Sequence, residues 1–402
     1  MSRDGQPRIL VLTSTYPRWA EDTDPGFVHE LSRRLVDRGF DVDVLTPRGQ
    51  GTKDQETIDG VSVSRYPYFF RSMEVLAYGG GILPKLKANP LLLGLVPFFM
   101  LGLYRAIRRS LKAKDYAAIH AHWIIPQGCC AQFARSSNRP PLLVTSHGGD
   151  LFGLRAGLLG RVKRWTLGNA DAIAVVSGYM RDVVVKDFSL AEDRIRVLPM
   201  GVDLESRFSG KNPMPRDDSR LLFVGRLVEK KGVSYLLQAL QQLRRERPDL
   251  CLDIIGDGPL RNELQAMTRS LELNDAVTFH GALPQSDLPE FYQRATVSVV
   301  PSVVDAKGDQ EGLGLVTIEA MGCGCPVVAS NLPAIRDVVE HEETGLLAEP
   351  GNAGDLARQL ETLLANPDQA KSLAQRGQAF VLSRFDWERS ADDYADTLRT
   401  II

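Results

Sequence analysis

Two glutamates eight positions apart, with two glycines between them, carry the strongest chemical signal in the chain: Glu311-Gly-Leu-Gly-Leu-Val-Thr-Ile-Glu319. The segment follows an apolar run ending at Val300 and leads into residues of helical spacing. Gly312 and Gly314 let backbone N–H groups approach a ligand closely. A helix N-terminus there adds partial positive charge suited to phosphate. On one continuous helix, eight residues span roughly 12 Å of rise and about 80° of rotation, so the two carboxylates do not share one small target. With Glu311 in the loop and Glu319 about one turn into the helix, they suit different parts of one extended ligand. A carboxylate accepting two hydroxyl protons is a natural holder of a sugar or ribose diol. A helix-surface glutamate and a first-turn acid stabilising the dipole would show the same spacing, which leaves both readings open.

Other polar groups stand at similar places. In Gly225-Arg226-Leu-Val-Glu-Lys-Lys231-Gly232, Arg226 lies just past an apolar run and Lys231 just before a helical pattern. Two cations flanking a helix entrance are placed to clamp a diphosphate, Arg as a planar fork and Lys as a mobile point charge. An ordinary basic loop has the same composition. His147, in Thr145-Ser-His-Gly-Gly-Asp150, follows another apolar run beside two glycines; a packed or solvated imidazole is the alternative. His120 and His122 share one side of a strand before Trp123, but lack a third ligand at zinc spacing. Asp41-Val-Asp43 has the form of a metal-holding acid pair. Its setting, with Phe40, Val42 and Val44 alternating, is that of a strand with polar residues turned outward.

The elements that must position these residues alternate between strand and helix, twice over. Apolar runs at Arg8–Thr13, Asp41–Thr46, Ala117–Ala121, Leu142–Thr145, Ala172–Ser177 and Ile195–Leu198 are expected strands. Phe27, Leu31 and Leu35 are expected on one helix face. The pattern restarts with strands at Leu221–Val224, Cys251–Ile255, Ala276–Phe279, Thr296–Val300 and Pro326–Ala329. Val233–Leu243 has helical spacing, and Pro259 of Gly256-Asp-Gly-Pro259 is expected to open another helix. Such alternation implies two doubly wound parallel-sheet, Rossmann-like α/β domains joined near Pro199–Asp203. Ligands bind beyond the carboxyl ends of such strands, and two such edges facing each other would form a cleft.

Composition fits that reading. The chain of 402 residues is too long for one ordinary core. Five cysteines without CxxC spacing read as reduced thiols. The polar start, Met1 to Gln6, and the short apolar run after it argue against a secretory signal. The net charge of −2 hides an asymmetry. Residues 1–200 hold 27 Lys+Arg against 19 Asp+Glu, leaving 21 against 31 for residues 201–402. Val75 to Lys114 has no acid but carries Lys85, Lys87, Arg105, Arg108, Arg109, Lys112 and Lys114. Leu151 to Ala170 is likewise acid-free, with Arg155, Arg161, Lys163 and Arg164. The longest apolar run, Leu91 to Tyr104, is short for a bilayer span and suits an interfacial or buried helix. Basic surface beside apolar helix suits an anionic lipid surface or an anionic acceptor; a solvated basic face over a core helix is the alternative. Nucleic acid is not expected, because no reading motif accompanies the charge.

Taken in order, these segments resemble the family 4 glycosyltransferases, retaining enzymes of the GT-B fold. The likeness runs through His120-Ala-His-Trp123, Thr145-Ser-His147-Gly, Pro199-Met-Gly-Val-Asp203, Gly225-Arg226…Lys231-Gly232, Gly256-Asp-Gly-Pro259, Phe279-His-Gly281 and Glu311…Glu319 with Ala320-Met-Gly. The resemblance implies an N-terminal acceptor-binding domain (1–200), a C-terminal donor-binding domain (201–380) and a final helix (381–402) crossing back to the first. It implies a nucleotide-sugar donor, UDP by family frequency, and a glycan, lipid-linked or polysaccharide-precursor acceptor. Arg226 and Lys231 would bind the diphosphate and Glu319 the ribose. Glu311 with the amides of Gly312, Leu313, Gly314 and Leu315 would hold the sugar and distal phosphate. His147 would sit near the reacting centre, and His280, Gly281 and Leu283 would frame the base. One departure concerns the first loop, Asp24-Pro25-Gly26-Phe27, where family members often carry paired glycines; Gly26 is carried over, with acceptor geometry there left open. Neither a metal nor a cofactor is expected. The implied location is the cytoplasm, with peripheral contact at the inner face of the cell membrane as an option. An epimerase or glycan phosphorylase of the same fold, or a non-catalytic sugar-binding protein, is the competing reading.

Overall fold

A computed structural model describes residues 5–19, 22, 26–79, 81–135, 140–153, 157–211 and 214–402. Asp24, Pro25 and Arg155 lie outside the described residues, as does the side chain of Lys87. The chain forms two compact units, one of Met1–Val176, Met180–Gly201 and Glu388–Ile402, the other of Ser177–Tyr179 and Val202–Trp387.

The first unit is built on eight strands: β1 (Arg8–Leu12), β2 (Asp41–Pro47), β3 (Gln55–Ile58), β4 (Val61–Tyr66), β5 (Ala118–His122), β6 (Leu142–Ser146), β7 (Ala172–Val175) and β8 (Ile195–Val197). Their order is β3-β4-β2-β1-β5-β6-β7-β8. All pairs are parallel except β3 with β4. Ile9 to Leu12 are at most 1% exposed, as continuous apolar runs covered on both faces require. The order reverses between β1 and β5, which makes that edge the topological switch point. The β3–β4 hairpin was not anticipated. Asp59 and Gly60 turn it with φ of 47° and 79°, the left-handed pair that a tight two-residue hairpin turn needs.

The second unit restarts with β9 (Arg220–Val224), β10 (Cys251–Ile255), β11 (Val277–Gly281), β12 (Val297–Val300), β13 (Val327–Ser330) and β14 (Leu346–Ala348). All are parallel, in the order β11-β10-β9-β12-β13-β14, with the switch point between β9 and β12. The helix Val233–Leu243 buries Val233, Leu236, Leu237 and Leu240 in the core over this sheet. Each such side chain contributes about 1.5–3 kcal/mol of burial.

Three local expectations need correction. The helix after Gly256-Asp-Gly-Pro259 starts at Arg261, so Pro259 belongs to the turn before it. Phe27 does not share the core face of its helix, Phe27–Asp37; Val28, Leu31 and Leu35 do, while Phe27 is half-buried. Leu91 to Tyr104 is not one element: a tight turn of helix, Pro90–Leu95, precedes the helix Val96–Ala113, with Pro97 tolerated in its first turn. The acid pair on β2 is occupied internally. Asp41 accepts from Arg8 at 2.8 Å, and Asp43 accepts from Lys114 at 2.6 Å and Tyr116 at 2.7 Å.

The last helix, Trp387–Ile401, packs within the first unit. Arg34 and Arg38 reach Glu388 and Asp392 at 3.0 and 2.7 Å. The buried Tyr394 hydroxyl donates to the Leu198 carbonyl at 3.0 Å.

Candidate functional site

Of the residues singled out in the second unit, Lys231, Glu311 and Glu319 gather at the β9/β12 switch point, with Arg226 on the loop after β9, while His280, Gly281 and Leu283 stand on and beyond the edge strand β11. Arg226 is half-buried, two residues beyond β9. Glu229–Lys231 form a short turn closed by Gly232, whose φ of 64° is left-handed. A Cβ on Gly232 would stand 1.9 Å from the Pro301 carbonyl oxygen, so no larger residue fits. That contact, with Val303 N–H donating to the Lys230 carbonyl at 2.8 Å, seats the loop after β9 against the loop after β12. The Gly256-Asp-Gly-Pro259 turn braces the other side: Leu227 N–H donates to the Asp257 carbonyl at 3.0 Å, and Leu260 N–H to the Leu227 carbonyl at 3.1 Å.

Lys231 and Glu311 meet in this setting. Lys231 Nζ lies 3.0 Å from Glu311 Oε1, with the two side chains only 14% and 10% exposed. Burial by itself raises the Glu311 pKa, but Lys231 and then Lys230 outweigh it and hold the carboxyl below its ordinary range. Lys230 is engaged with Asp309 and the Gln310 carbonyl, both at 3.3 Å. The helix Leu315–Gly322 follows; Gly314, at φ 86°, precedes it and supplies no side-chain cap. Its first turn carries no acid, so its leading N–H groups and dipole suit an anion. Glu311 therefore belongs to the loop, not to the helix's first turn.

Glu319 is not on the helix surface. It is 6% exposed and accepts a hydrogen bond from the buried Tyr292 hydroxyl at 3.0 Å. Burial pushes its pKa up to about 7 against the pull of Tyr292, Lys231 and Arg207. His280 lies in β11, with its ring nitrogen Nε2 2.7 Å from Asp253, which also takes Arg220 at 2.9 Å. That ring is spent inside the unit, so the stretch from His280 to Leu283 has its backbone to offer a base; Gly281 ends the strand and Leu283 is half-buried beyond it.

His147 and Gly26 stand on the first unit. Gly26 precedes the helix Phe27–Asp37 at φ −87°, a conformation open to any residue, and its nearest neighbour for a Cβ is Pro17 at 3.9 Å. His147 is the first residue beyond β6. Asp150 fixes this loop: one carboxylate oxygen accepts from His147 N–H at 3.1 Å and Ser146 Oγ at 2.9 Å, the other from Ile124 N–H at 2.7 Å. The His147 ring is surrounded by Phe27 at 4.9 Å, Trp123 at 5.1 Å and the stacked His122 at 5.2 Å.

His122 sets the state of His147. Its Nδ1 lies 3.0 Å from His147 Nε2. Burial lowers the pKa of all three neighbouring imidazoles, His120 and His147 to about 3 and His122 well below the usual value, so they are neutral at pH 7. His122 Nε2 is buried without a partner among the described residues. An unpaired lone pair costs less there than an unpaired N–H, which puts the His122 proton on Nδ1. His147 Nε2 then accepts, and His147 Nδ1 carries the N–H available to a ligand. His122→Phe keeps the stack but loses this donor. We expect a kcat fall of about 3- to 10-fold, the worth of one hydrogen bond, together with a change in the ring ¹⁵N shifts of His147. Unchanged ¹⁵N shifts would rule out the assignment.

Sequence reasoning missed His122, Trp123, Phe27 and Tyr292 as parts of these sites. Trp123 stood beside a named histidine. Tyr292 had no local signal, since its partner is 27 positions away.

Comparisons with known proteins agree with this geometry. Residues 27–206 match the Glycosyltransferase Family 4 model and residues 205–380 the model of Glycosyl transferases group 1. A glycogen synthase of Mycobacterium tuberculosis is 28% identical, over 96% of this chain and 92% of its own. A GDP-mannose-dependent alpha-(1-6)-phosphatidylinositol monomannoside mannosyltransferase of the same organism is 29% identical, over 73% and 78%. The solved sucrose-phosphate synthase of Thermosynechococcus elongatus superposes with a TM-score of 0.79 at 25% identity, covering 98% of this chain and 99% of that one. Two doubly wound parallel-sheet units and matches covering both halves place this chain in the family 4 glycosyltransferases, with the GT-B fold.

Proposed function

We propose that the chain moves a hexose-type sugar from a UDP-sugar to a lipid-linked or polysaccharide-precursor glycan, without a metal and with retention at the anomeric carbon, at the cytoplasmic face of an anionic membrane. The observation that carries the donor reading is the Lys231–Glu311 pair, enclosed at the β9/β12 switch point beside an uncapped helix N-terminus. Lys231 and Arg226 take the diphosphate, and the amides of Gly312 to Leu315 take the distal phosphate. Glu311 holds the sugar and Glu319 the ribose hydroxyls. His147 Nδ1–H donates to the sugar near the reacting carbon.

In the transition state the anomeric carbon becomes oxocarbenium-like and charge grows on the leaving diphosphate, where these donors act. The leaving phosphate oxygen accepts the acceptor's hydroxyl proton on the same face. No carboxylate then serves as covalent nucleophile, unlike the closely paired acids of retaining glycosidases. An epimerase needs no acceptor. A purely sugar-binding protein has no use for the four charged groups Arg226, Lys231, Glu311 and Glu319, all of which are present.

Titration of the purified chain with UDP-, GDP- and ADP-sugars tests the donor. The expected result is tightest binding of a UDP-hexose. Tighter binding of a GDP-sugar, the donor type in the mannosyltransferase relative's name, would reassign the base. Binding of none would end the donor reading.

A further inference from the structure

We infer that one helical face of the first unit docks on a bilayer bearing anionic headgroups. This deepens the membrane part of the function proposed above by naming the surface. Among the described residues, 17 large hydrophobic side chains are exposed and seven of them fall between Phe70 and Leu101, so the exposure is concentrated rather than scattered. Phe70 is 73% exposed and Leu91 88%. The Phe69 ring touches both Phe70 and Phe98, at 5.1 and 4.9 Å, which makes one aromatic cluster.

The helix Val96–Ala113 shows how the chain presents this cluster. By length and composition, Pro90–Ala113 is apolar enough to cross a membrane. It instead lies on the unit, because Phe99, Leu103 and Ile107 are buried and Phe99 packs on Tyr66 and Tyr68. The opposite face carries Phe98, Leu101, Arg105, Arg109 and Lys112, all exposed and at helical spacing. Apolar side chains at one end and cations along the rest form an in-plane interfacial helix.

The second acid-free stretch joins the same face. Cys130, on the helix Cys129–Ala134, reaches Met100, and Arg108 donates to the Ala134 carbonyl at 3.2 Å. Phe133 from that helix stacks 4.6 Å from Trp165 of the helix Gly157–Gly168. This third helix exposes Leu158, Arg161 and Arg164. A pocket on this helix is lined by Arg161, Arg164 and Trp165 together with Asp187, so two guanidinium groups there outnumber one carboxylate. Two basic, acid-free segments distant in sequence thus form one continuous surface.

Not every cation counted in the sequence contributes. Lys85 is held by the Val75 and Ala77 carbonyls, the buried Lys163 by those of Leu151 and Gly153, and Lys114 by Asp43. Arg105, Arg109, Lys112 and Arg161 are exposed, as is Arg164, which also donates to the Asp187 carbonyl at 2.9 Å. Guanidinium groups beside exposed Phe, Trp and Leu match an anionic interface, where side chains insert below the phosphates and each cation strengthens binding about fivefold.

The test is sedimentation of the full chain with phosphatidylcholine vesicles, alone and with about a third phosphatidylglycerol. We expect binding to the anionic vesicles only, weakening as salt rises. Arg105→Glu/Arg109→Glu should lower that binding about 25-fold or more, and Phe98→Ser/Phe133→Ser should lower it separately. Circular dichroism and thermal midpoint serve as fold controls on these exposed positions. Failure to bind either vesicle, or equal binding by all variants, overturns the proposal. So does a dimer, seen by light scattering, that the Phe98→Ser/Phe133→Ser variant dissolves without any vesicle binding. Nucleotide-sugar binding is read on the same samples: its loss with vesicle binding intact strikes the donor reading alone.

Discussion

Lys231→Ala is expected to lower turnover about 100- to 1000-fold, the usual loss when one group meeting transition-state charge is removed. The fold is expected to survive but to weaken. Glu311 is 8% exposed and holds its charge because Lys231 and Lys230 outweigh burial. Without Lys231, a nearly buried carboxylate is left under-compensated, at a cost of up to about 3–5 kcal/mol. Glu311→Gln should also lower turnover by orders of magnitude, through the sugar it no longer holds. The double variant separates the two effects. With the stranded charge gone, Lys231→Ala/Glu311→Gln should melt above Lys231→Ala, yet it should regain no activity. Steady-state kcat and thermal unfolding on all three proteins check this. Near-normal turnover in either single variant removes the role given to that residue.

Glu319→Gln is expected to stabilise the ligand-free chain at pH 8 while weakening the donor. Burial raises the Glu319 pKa from 4.5 to about 7. The folded chain therefore binds more protons than the unfolded chain between those values, so stability falls as pH rises through that window. The loss amounts to about 3 kcal/mol, to order of magnitude. Glutamine keeps the shape and escapes the penalty, so the variant should gain on the wild type from about pH 5 upward. It accepts from one oxygen only and carries no charge, so the ribose diol is held less well. The KM for the donor should rise about 10- to 100-fold, as for a lost hydrogen bond to a charged group. A variant that melts below the wild type at pH 8, or an unchanged KM, contradicts the assignment. Sites that bind ligands commonly carry such local costs.

The fold was legible where one local pattern decides it. Runs such as Ile9–Leu12 and Leu252–Ile255 are buried on both faces, and their alternation with helices dictates parallel sheets. The loops after β9 and β12 were legible as candidate sites because strand ends are where such sheets bind ligands, and Gly232 and Gly314 marked the turns. The β3–β4 hairpin had a signal, Asp59-Gly60 between alternating residues, that went unread. The rest depends on long-range packing. The spacing of Glu319 fits a ligand-holding residue and a helix-surface residue alike, and only Tyr292, 27 positions earlier, shows that it is buried. His122 and His147 are 25 positions apart and meet only because β5 and β6 pair in register. No periodicity in one segment reports on a neighbour in another, and the joining of two acid-free stretches on one face was hidden for the same reason.

Sugar transfer by the switch-point residues is proposed to need an acceptor and no metal. Its most direct measurement is release of nucleoside diphosphate from the best-bound nucleotide-sugar in excess chelator, with and without a lipid-linked glycan acceptor, with the product's anomeric configuration read by proton NMR. The expected result is release only with acceptor, insensitive to chelator, abolished in Lys231→Ala, and giving a product with the donor's anomeric configuration. Release that ignores the acceptor, stops in chelator or yields the inverted anomer would contradict it.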